Sequence, residues 1–359
     1  MAITTDQVLN ALRTVQDPDL RRDLVSLGFI KQLAIEGDRV AFAIELTTPA
    51  CPVREQLKAQ AHAAVLAVPG VRQVDVTMTS QVRASVNPPA GTGLPAIKNI
   101  IPIASGKGGV GKSTVTANLA HALARTGAAV GVMDADVYGP SIPTILGVHG
   151  QPTVHEDQRI SPVVQDGLKV ISMGFFMQSD DAVIWRGPML HKTIQQFLGG
   201  VAWGALDYLL VDLPPGTGDV QLSLCQSIPI TGAVIVSTPQ DVALNVAQKA
   251  ITMFKKLNAP ILGIIENMSD HTCPACGHHE EVFGSGGARK TAERLGIPFL
   301  GEIPLATPVR VASDEGKPVV LVQPDSSLAK AFIRAAEQLA AQVSIRAMQH
   351  EATQVNVTF

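Results

Sequence analysis

The sequence is short of cysteine, of long hydrophobic runs and of any basic leader, and each shortage excludes a class of protein. Four cysteines in 359 residues are too few for a disulfide framework. No stretch reaches the roughly 18 uncharged apolar residues of a membrane span, because Asp207 and Asp212 interrupt the most apolar segment, 201–213. The first residues, MAITTDQVLN, lack the basic and apolar regions of a signal peptide. We therefore expect a soluble, cytoplasmic protein without a membrane partner.

An excess of charge of one sign is also missing. The chain has 28 Lys and Arg against 31 Asp and Glu, a formal net charge of −3, and no run rich in lysine or arginine. Nucleic acids and anionic lipids attract proteins with basic surfaces, so this balance predicts neither as a partner. Hydrophobic residues make up 46% of the chain and charged residues 16%, which is a globular rather than a disordered composition.

A change of composition divides the chain near residue 84. Residues 84–98 are rich in Pro, Gly, Ala and Thr and have no periodic apolar positions, which predicts a linker. Two domains are expected at this length because one hydrophobic core rarely grows so large. We therefore predict a small N-terminal domain at 1–83, a larger domain at 99–345 and a C-terminal tail at 346–359.

The first domain combines helical and strand patterns. Thr5 or Asp6 is the expected N-cap of a first helix, and Pro52 is the expected first residue of a second helix. Apolar residues alternate over 40–46 and again over 74–78, which indicates half-buried strands. Helices on one face of such a short sheet make this an α+β domain.

The second domain has the pattern of a parallel sheet covered by helices. Five apolar runs of strand length, IIPIA, AAVGVMD, YLLVD, GAVIVS and PILGII, alternate with helical patterns. Each run is continuous in its apolar residues, which indicates strands buried on both faces. Right-handed βαβ connections between such strands give an α/β fold with a doubly wound, mainly parallel sheet.

A phosphate-binding loop lies between the first of these strands and the helix that follows it. Residues 106–114 read GKGGVGKST and contain the P-loop pattern G-x-x-x-x-G-K-S. The glycines allow successive N–H groups to point at phosphate oxygens, and the helix N-terminus adds positive potential. Lys112 would neutralise the terminal phosphates, and the Ser113 hydroxyl would bind Mg²⁺. The predicted nucleotide-binding residues are Gly106, Lys107, Gly108, Gly109, Val110, Gly111, Lys112, Ser113 and Thr114.

A pair of cysteines is the second chemical signal. Cys273 and Cys276 lie in the turn-forming segment HTCPACGHH, and two thiolates at this spacing can bind one metal ion or one iron–sulfur cluster. The chain has only one such pair, so a site with four thiolates would need two chains. Two alternatives stay open from the residues alone. One is a zinc site that uses the same cysteines, alone or with His278 or His279. The other is a redox pair, although its usual strand–helix context is missing.

Lys107, at the start of the loop, makes the motif similar to that of a known class of ATPases. The sequence KGGVGKST resembles the deviant Walker A motif of the ParA, MinD and nitrogenase iron protein class. The resemblance implies that Lys107 reaches the phosphates of the partner's nucleotide, and hence an ATP-bridged homodimer. It also implies that Asp136 positions or activates the attacking water and that Asn267 reads the adenine edge. Asp212, at the end of a strand resembling Walker B, would hold the Mg²⁺ shell.

The expected catalytic residues are therefore Lys107, Lys112, Asp136 and Asp212. Asp134 shares a strand end with Asp136, but a turn or capping role competes more strongly there. The segment PPGTGD after Asp212 resembles a switch loop that senses the γ-phosphate.

The complete set of motifs resembles one family within this class. The segments GKGGVGKST, DADVYGPS, WRGPM, VDLPPGTGD, ENMS and CPACG occur in this order between residues 98 and 340. The set is similar to the Mrp/ApbC family of iron–sulfur cluster carrier ATPases. The resemblance implies slow ATP hydrolysis with magnesium and a labile cluster, 4Fe–4S, held across a homodimer by Cys273 and Cys276 of each chain. It also implies a scaffold that supplies the cluster and apo iron–sulfur proteins that receive it.

The N-terminal domain resembles a small domain found in several iron–sulfur assembly proteins. Its TTPACP segment places Cys51 just before the expected second helix, where a helix N-terminus favours a thiolate. Cys51 is either a secondary thiol for cluster transfer or a small buried residue at a helix start. The extra four-cysteine site of eukaryotic relatives is missing, and Cys225 is expected in the core.

Three other functions compete with cluster transfer. A ParA/MinD-like positioning ATPase would need a basic membrane helix or a basic surface for DNA, but the last helical stripe has no lysine-rich polar face. An electron donor like the nitrogenase iron protein takes its cysteines from two separated segments, unlike the single loop here. A zinc-binding, ATP-dependent switch protein differs from a carrier only in its metal, so the sequence leaves this alternative open.

Overall fold

The computed structural model describes residues 3–85, 97–156, 158–176 and 187–355. The chain divides into Met1–Arg83 and Ala84–Phe359, which we describe separately as unit 1 and unit 2. Residues 86–96 of the predicted linker, Trp185 and Arg186 of the WRGPM segment, and residues 356–359 of the predicted tail lie outside the described residues. Within the described part of the chain, no helix combines the length and the hydropathy needed to cross a membrane.

Unit 1 is a three-stranded sheet with two helices. Its elements are α1 (Thr5–Leu12), β1 (Gln16–Asp17), β2 (Arg22–Asp23), β3 (Ile30–Glu36), β4 (Arg39–Leu46), α2 (Arg54–Leu66) and β5 (Gln73–Ser80). Strand β4 lies in the middle, antiparallel to β3 and parallel to β5. A parallel pair needs a crossover connection, which α2 provides. The predicted α+β fold of this part is confirmed.

The N-cap of the first helix of unit 1 lies before both predicted positions. Thr4 is the N-cap, where the prediction named Thr5 or Asp6. The Thr4 side chain accepts the Gln7 N–H at 3.3 Å, and the Gln7 side chain accepts the Thr4 N–H at 3.0 Å. This reciprocal capping box satisfies two N–H groups that a helix start would otherwise leave unpaired.

The second helix of unit 1 begins later than predicted. Pro52 precedes α2 and is not its first residue. The Cys51 C=O accepts the Arg54 N–H at 3.3 Å, so a separate turn closes before the helix starts. The prediction was wrong because proline also fits a turn that leads into a helix.

Unit 2 is built on an eight-stranded sheet. Its helices are α3 (Lys112–Arg125), α4 (Ile142–Ile145), α5 (Gly187–Gly199), α6 (Asp219–Ser227), α7 (Asp241–Lys256), α8 (Gly287–Leu295), α9 (Thr307–Asp314), α10 (Val319–Val322) and α11 (Ser327–Val355). Its strands are β6 (Ile100–Ser105), β7 (Val130–Asp134), β8 (Thr153–Val154), β9 (Ile160–Ser161), β10 (Val163–Gln165), β11 (Leu168–Ser172), β12 (Tyr208–Asp212), β13 (Ala233–Ser237), β14 (Ile261–Asn267), β15 (His271–Thr272), β16 (His279–Glu280) and β17 (Phe299–Ile303). The sheet order is β10-β11-β7-β12-β6-β13-β14-β17, and every pairing except β10–β11 is parallel.

The five predicted strands of unit 2 are confirmed as β6, β7, β12, β13 and β14. All residues of β7, β12 and β13 are buried, as continuous apolar runs predict. Strands β11 and β17 extend the parallel sheet but were not predicted, because Lys169 and Glu302 interrupt their apolar patterns. The α/β, mainly parallel fold expected for this part of the chain is thereby established.

Helices pack on both faces of this sheet. Helix α3 packs against α11 and the central strands, while residues of α5, α6, α7 and α8 form a second core with alternate residues of the same strands. Helix α11 continues beyond residue 345 to Val355, so the described part of the predicted tail is helical. Its apolar stripe explains this continuation, since Val343 and Ala347 are still buried.

A buried histidine lies on α3. His121 has 2% of its surface exposed, and its Nε2 atom has no hydrogen-bond partner among the described residues. Burial lowers the pKa of the imidazole from 6.5 to about 4, and the negative charge of Asp166 opposes this shift only in part. The folded protein therefore keeps this ring neutral well below pH 6.5.

Replacing His121 with leucine should make unit 2 less sensitive to acid. The unfolded chain takes up a proton at this ring below pH 6.5 while the folded chain does not, so the free energy of unfolding falls as pH drops from 6.5 towards 4. Between pH 7 and 5 this histidine accounts for a loss on the order of 1–2 kcal/mol, which His121→Leu removes. Urea unfolding followed by tryptophan fluorescence measures the difference, because Trp185 and Trp203 both belong to unit 2. Equal pH slopes in the two proteins would contradict this account.

Candidate nucleotide site and cysteine turn

The phosphate-binding pattern forms a loop between β6 and α3. Gly111, the last residue before α3, has a φ of +79°, and a Cβ atom there would overlap the Asn267 amide. Gly106 lies against the backbone of α7, where a Cβ atom would come within 2.5 Å of backbone atoms of Val246 and Ala247. Close packing thus requires glycine at both positions, and the loop leads directly into the N-terminus of α3. Backbone N–H groups at a helix N-terminus favour the binding of phosphate.

Asp212, at the carboxyl end of β12, is the centre of the site. Its Oδ2 atom lies 2.6 Å from Lys112 Nζ and accepts a 2.6 Å hydrogen bond from the Ser113 hydroxyl. Its Oδ1 atom accepts a 2.7 Å hydrogen bond from the Thr116 hydroxyl. Asp212 is completely buried and Lys112 is 6% exposed, and a buried ion pair needs such additional hydrogen bonds to offset its desolvation. The structure thus brings together the predicted lysine, serine and aspartate.

Thr116 was not expected from the sequence to belong to this site. It lies one helical turn after Lys112, and its hydroxyl contacts the Lys112 C=O at 3.0 Å as well as the Asp212 carboxylate. Residues four apart on a helix share a face. The spacing within GKSTVT is therefore the signal that could have identified this residue.

Two further aspartates follow the neighbouring strand β7. Asp134 is completely buried and accepts hydrogen bonds from the Ser172 hydroxyl at 3.0 Å and from the N–H groups of Ile142 and Asp136 at 3.2 and 3.1 Å. Burial, and then the charge of Asp212, raise the pKa of Asp134 to about 7. Asp134 therefore braces the loop that carries Asp136. The pKa of Asp136 is also raised, mainly by burial, and its role toward water remains a prediction.

The segment that resembles a switch loop lies beside the base of the phosphate loop. The Gly216 N–H donates to the Ser105 C=O at 2.9 Å. The buried Gln221 side chain donates from Nε2 to the C=O groups of Pro214 and Gly216, at 2.7 and 3.1 Å. Gln221 was not expected from the sequence, since its contacts depend on how the loop folds back over α6. It fixes the conformation of this segment.

Asn267 and Lys107 both lie at the phosphate loop. The Asn267 side chain donates from Nδ2 to the Val110 C=O at 2.8 Å, so this residue is hydrogen-bonded to the backbone of the loop. Lys107 is half-buried, and its C=O accepts the Ser105 hydroxyl at 3.1 Å. The expected roles of Asn267 toward adenine and of Lys107 toward the nucleotide of a partner remain predictions.

The two clustered cysteines lie in a tight turn between β15 and β16, which pair as a hairpin. The Cys273 N–H donates to the His278 C=O at 2.8 Å, and the Gly277 N–H donates to the Cys273 C=O at 2.9 Å. The backbone N–H groups of Cys276 and Ala275 donate to the Cys273 sulfur and hold the pKa of this thiol below its ordinary value. Such N–H groups stabilise a thiolate, which is the form that binds metal.

Within the described residues, one chain offers this turn no third metal ligand. Across the described residues, no group of three or more His, Cys, Asp and Glu side chains could hold a metal ion. His279, a possible zinc ligand in the sequence, instead contacts Asp270 Oδ2 through Nε2 at 3.1 Å, and His278 is exposed. Cys276 is exposed and Cys273 is half-buried, so both are accessible to ligands from another molecule.

The other two cysteines lie away from this turn. Cys225, on α6, packs against the core of unit 2, and burial raises the pKa of its thiol to about 11. This agrees with the core position expected for it. Cys51 is half-buried in unit 1, three residues before α2, and its role remains a prediction.

Comparisons with known proteins find relatives for both parts of the chain. Residues 96–340 match a family model described as "NUBPL iron-transfer P-loop NTPase", and residues 5–77 match one described as "Iron-sulfur cluster assembly protein". An iron-sulfur cluster carrier protein of Deinococcus radiodurans is 50% identical over 98% of this chain and 99% of its own length. An iron-sulfur cluster carrier protein of Escherichia coli K12 is 43% identical over 94% of this chain and 91% of its own.

Solved structures share the fold of the nucleotide-binding part. A nucleotide-binding protein from Archaeoglobus fulgidus in complex with ADP has a TM-score of 0.57 and 42% identity, covering 66% of this chain and 93% of its own. The septum site-determining protein MinD of Pyrococcus horikoshii, complexed with Mg-ADP, has a TM-score of 0.51 and 26% identity, covering 66% and 94%. The P-loop motif, the site geometry and these relatives together establish an ATPase.

Iodoacetamide should label Cys273 and Cys276 well before Cys225. Thiolates are the reacting species. The pKa of about 11 at Cys225 leaves less than about one thiol in a thousand ionised at pH 7.5, whereas the pKa of Cys273 is lowered and Cys276 is exposed. Peptide mass spectrometry over a time course of labelling, on metal-free protein under nitrogen, should show a rate difference of at least about tenfold. Comparable rates at Cys225 and at the pair would contradict the assignment of Cys225 to the core.

Replacing Thr116 with valine should slow ATP hydrolysis roughly tenfold. The change preserves the shape of the side chain but leaves Asp212 Oδ1 without its 2.7 Å donor, and a lost hydrogen bond to a buried charge costs about 1–3 kcal/mol. Thr116→Ser keeps the hydroxyl and serves as the matched control. Phosphate release at saturating ATP measures the effect. A valine variant as active as the wild type would show that this contact does not orient Asp212.

Proposed function

Because the chain belongs to the family of iron–sulfur cluster carrier P-loop ATPases, we propose that it holds a labile 4Fe–4S cluster across a homodimer and transfers it to apo iron–sulfur proteins. The observation that carries the proposal is the cysteine turn. It is accessible, it favours the thiolate of Cys273, and the described residues add no third metal ligand to it. Cys273 and Cys276 from two chains would supply the four thiolates that such a cluster takes.

The nucleotide site supplies the second half of the proposal. Bound ATP with Mg²⁺ would provide the phosphoanhydride bond whose hydrolysis drives a change of conformation. The loop N–H groups and Lys112 would bind the phosphates, while Ser113 and Asp212 would hold the cation. Asp136 would position the attacking water, and Lys107 would reach the nucleotide of the second chain. Asn267 would contact the adenine edge, as in the class that the chain resembles.

Transfer of the cluster is an exchange of ligands in this proposal. Each iron–sulfur bond to Cys273 or Cys276 that breaks is replaced by a bond from iron to a thiolate of the acceptor. The proton that leaves the acceptor thiol is taken up by the departing cysteine of the carrier, so no oxidant or reductant is needed. A scaffold protein would load the cluster by the reverse exchange.

Two other functions have less support. A ParA/MinD-like positioning ATPase would leave the cysteine turn without a purpose, although it shares the fold. A zinc-binding, ATP-dependent switch would use the same thiolates and differ only in its metal, but the chain belongs to the iron–sulfur cluster carrier family. The cytoplasmic location and the absence of nucleic-acid and membrane partners remain predictions.

Anaerobic reconstitution with iron and sulfide tests the proposal directly. The wild type should bind one 4Fe–4S cluster per two chains, and it should migrate as a dimer when loaded. Cys276→Ser should bind no cluster, because it removes one ligand of each pair. Analysis of iron, sulfide and zinc, together with size-exclusion chromatography, gives the stoichiometry.

The matched control is Cys225→Ser, which changes a cysteine outside the turn. It should load as the wild type does. A wild type that takes up only zinc, or Cys276→Ser with an unchanged iron content, would reject the carrier function at this turn. The protein would then be an ATP-driven switch.

A further inference from the structure

We propose that residues 267–270, which we name the stem, are a positioning element that links the phosphate loop to the cysteine turn. The stem begins with the last residue of β14 and directly precedes β15. Through the stem, bound nucleotide would alter the reactivity of Cys273 and Cys276, and this role rests on the proposed function. The contacts of the stem at its two ends are the basis for this inference.

The first end of the stem is attached to the phosphate loop. Asn267 Nδ2 donates to the Val110 C=O, a backbone group of the phosphate loop, at 2.8 Å. The Asn267 amide packs closely against the loop, because it fills the space that a Cβ atom of Gly111 would occupy. Both Asn267 and Val110 are buried. A shift of the loop on binding or releasing phosphate would therefore move Asn267.

Hydrogen bonds and a restricted backbone conformation fix the middle of the stem. Met268 has a φ of +60°, a left-handed conformation that costs a non-glycine residue free energy and persists only where its surroundings enforce it. The Ser269 N–H donates to the Ile303 C=O at 3.1 Å, and the Leu305 N–H donates to the Asp270 C=O at 2.7 Å. The Ser269 hydroxyl also donates to Asp270 Oδ1 at 2.6 Å. Displacement at Asn267 would thus reach Asp270.

The second end of the stem holds the cysteine turn. Asp270 immediately precedes β15, and its Oδ2 atom lies 3.1 Å from Nε2 of His279, in β16. Asp270 therefore contacts both strands of the hairpin that encloses Cys273 and Cys276. Its position sets the tilt of the turn and the direction of the N–H groups aimed at the Cys273 sulfur.

The stem also has room to move. Asp270 is the stem residue that lines a recess of about 870 Å³. The other walls come from β15, Pro274 of the cysteine turn, α9, α10, the start of α11 and the segment after β17. Close-packed interiors resist small displacements, but this side of the stem faces open space. Nucleotide binding and the environment of the thiols should therefore be coupled, and the coupling must act equally in both directions.

The experiment compares the reactivity of the thiols with and without nucleotide. The metal-free, full-length chain is labelled with iodoacetamide, alone or with Mg²⁺ and a non-hydrolysable ATP analogue, and the rates at Cys273 and Cys276 are measured. In the wild type we expect the nucleotide to change these rates at least about threefold. In Asp270→Ala the change should fall below about 1.5-fold, because the contact to β16 is lost.

Two further variants isolate the contact. Asp314→Ala also removes an aspartate, from an exposed pair with Arg310 on α9, and should respond as the wild type does. Asp270→Asn keeps an oxygen acceptor for Ser269 and should recover most of the response. Titration with the ATP analogue should give Asp270→Ala a Kd within about twofold of the wild type, which shows that this variant is folded.

The coupling has a second, reciprocal readout. Cd²⁺ alone, which binds thiolates, should change the Kd of the ATP analogue by the same factor as the analogue changes the Kd of Cd²⁺, and Asp270→Ala should abolish both effects. A wild type without any nucleotide effect, or Asp270→Ala with an undiminished one, would overturn the inference. Failure to reconstitute a cluster would refute the proposed function alone, because these measurements use metal-free protein.

Discussion

The nucleotide site depends on one buried interaction, the contact of the Asp212 carboxylate with Lys112, Ser113 and Thr116. It joins the carboxyl end of β12 to the first turn of α3. The C-terminal end of the loop between β6 and α3 is therefore fixed against β12. Either charge alone in this interior would be uncompensated, a state that costs roughly 3–5 kcal/mol. The hydroxyl groups of Ser113 and Thr116 donate further hydrogen bonds to Asp212. These bonds help to offset the desolvation of the buried Lys112–Asp212 ion pair. The position of the phosphate loop follows from this arrangement.

A second carboxylate adds to the electrostatic constraint. Asp134 and Asp212 are neighbours across the parallel strands β7 and β12, and the charge of Asp212 adds to burial in raising the pKa of Asp134. Two N–H groups and the Ser172 hydroxyl donate hydrogen bonds to the Asp134 carboxylate. The same donors fix the DADVYGPS loop, and with it the backbone of Asp136. A structural role for Asp134 and a chemical role for Asp136 are thus consistent with each other.

The fold was predictable wherever the signal was local. Continuous apolar runs identified the five central strands, because burial on both faces removes polar residues from a strand. The edge-proximal strands β11 and β17 contain Lys169 and Glu302, so the same pattern was not visible there. Within the site, the P-loop residues and Asp212 were found from motifs. Gln221 and the contact of Asn267 with Val110 were not, because both depend on chain segments that meet only in the folded protein.

The two candidate sites differ in burial for a physical reason. Charges around a phosphate are stabilised most strongly by fixed groups in a dry environment, and Lys112 and Asp212 are accordingly buried. In the proposed function the thiols must be reached by another protein, and the cysteine turn lies on a hairpin in which Cys276 is exposed. Both sites nevertheless lie at the carboxyl ends of strands in one parallel sheet, since β12, β6, β13 and β14 are consecutive in it. A segment as short as residues 267–270 can therefore span from one to the other, and a buried chemical event can act on an exposed ligand without any movement of the sheet.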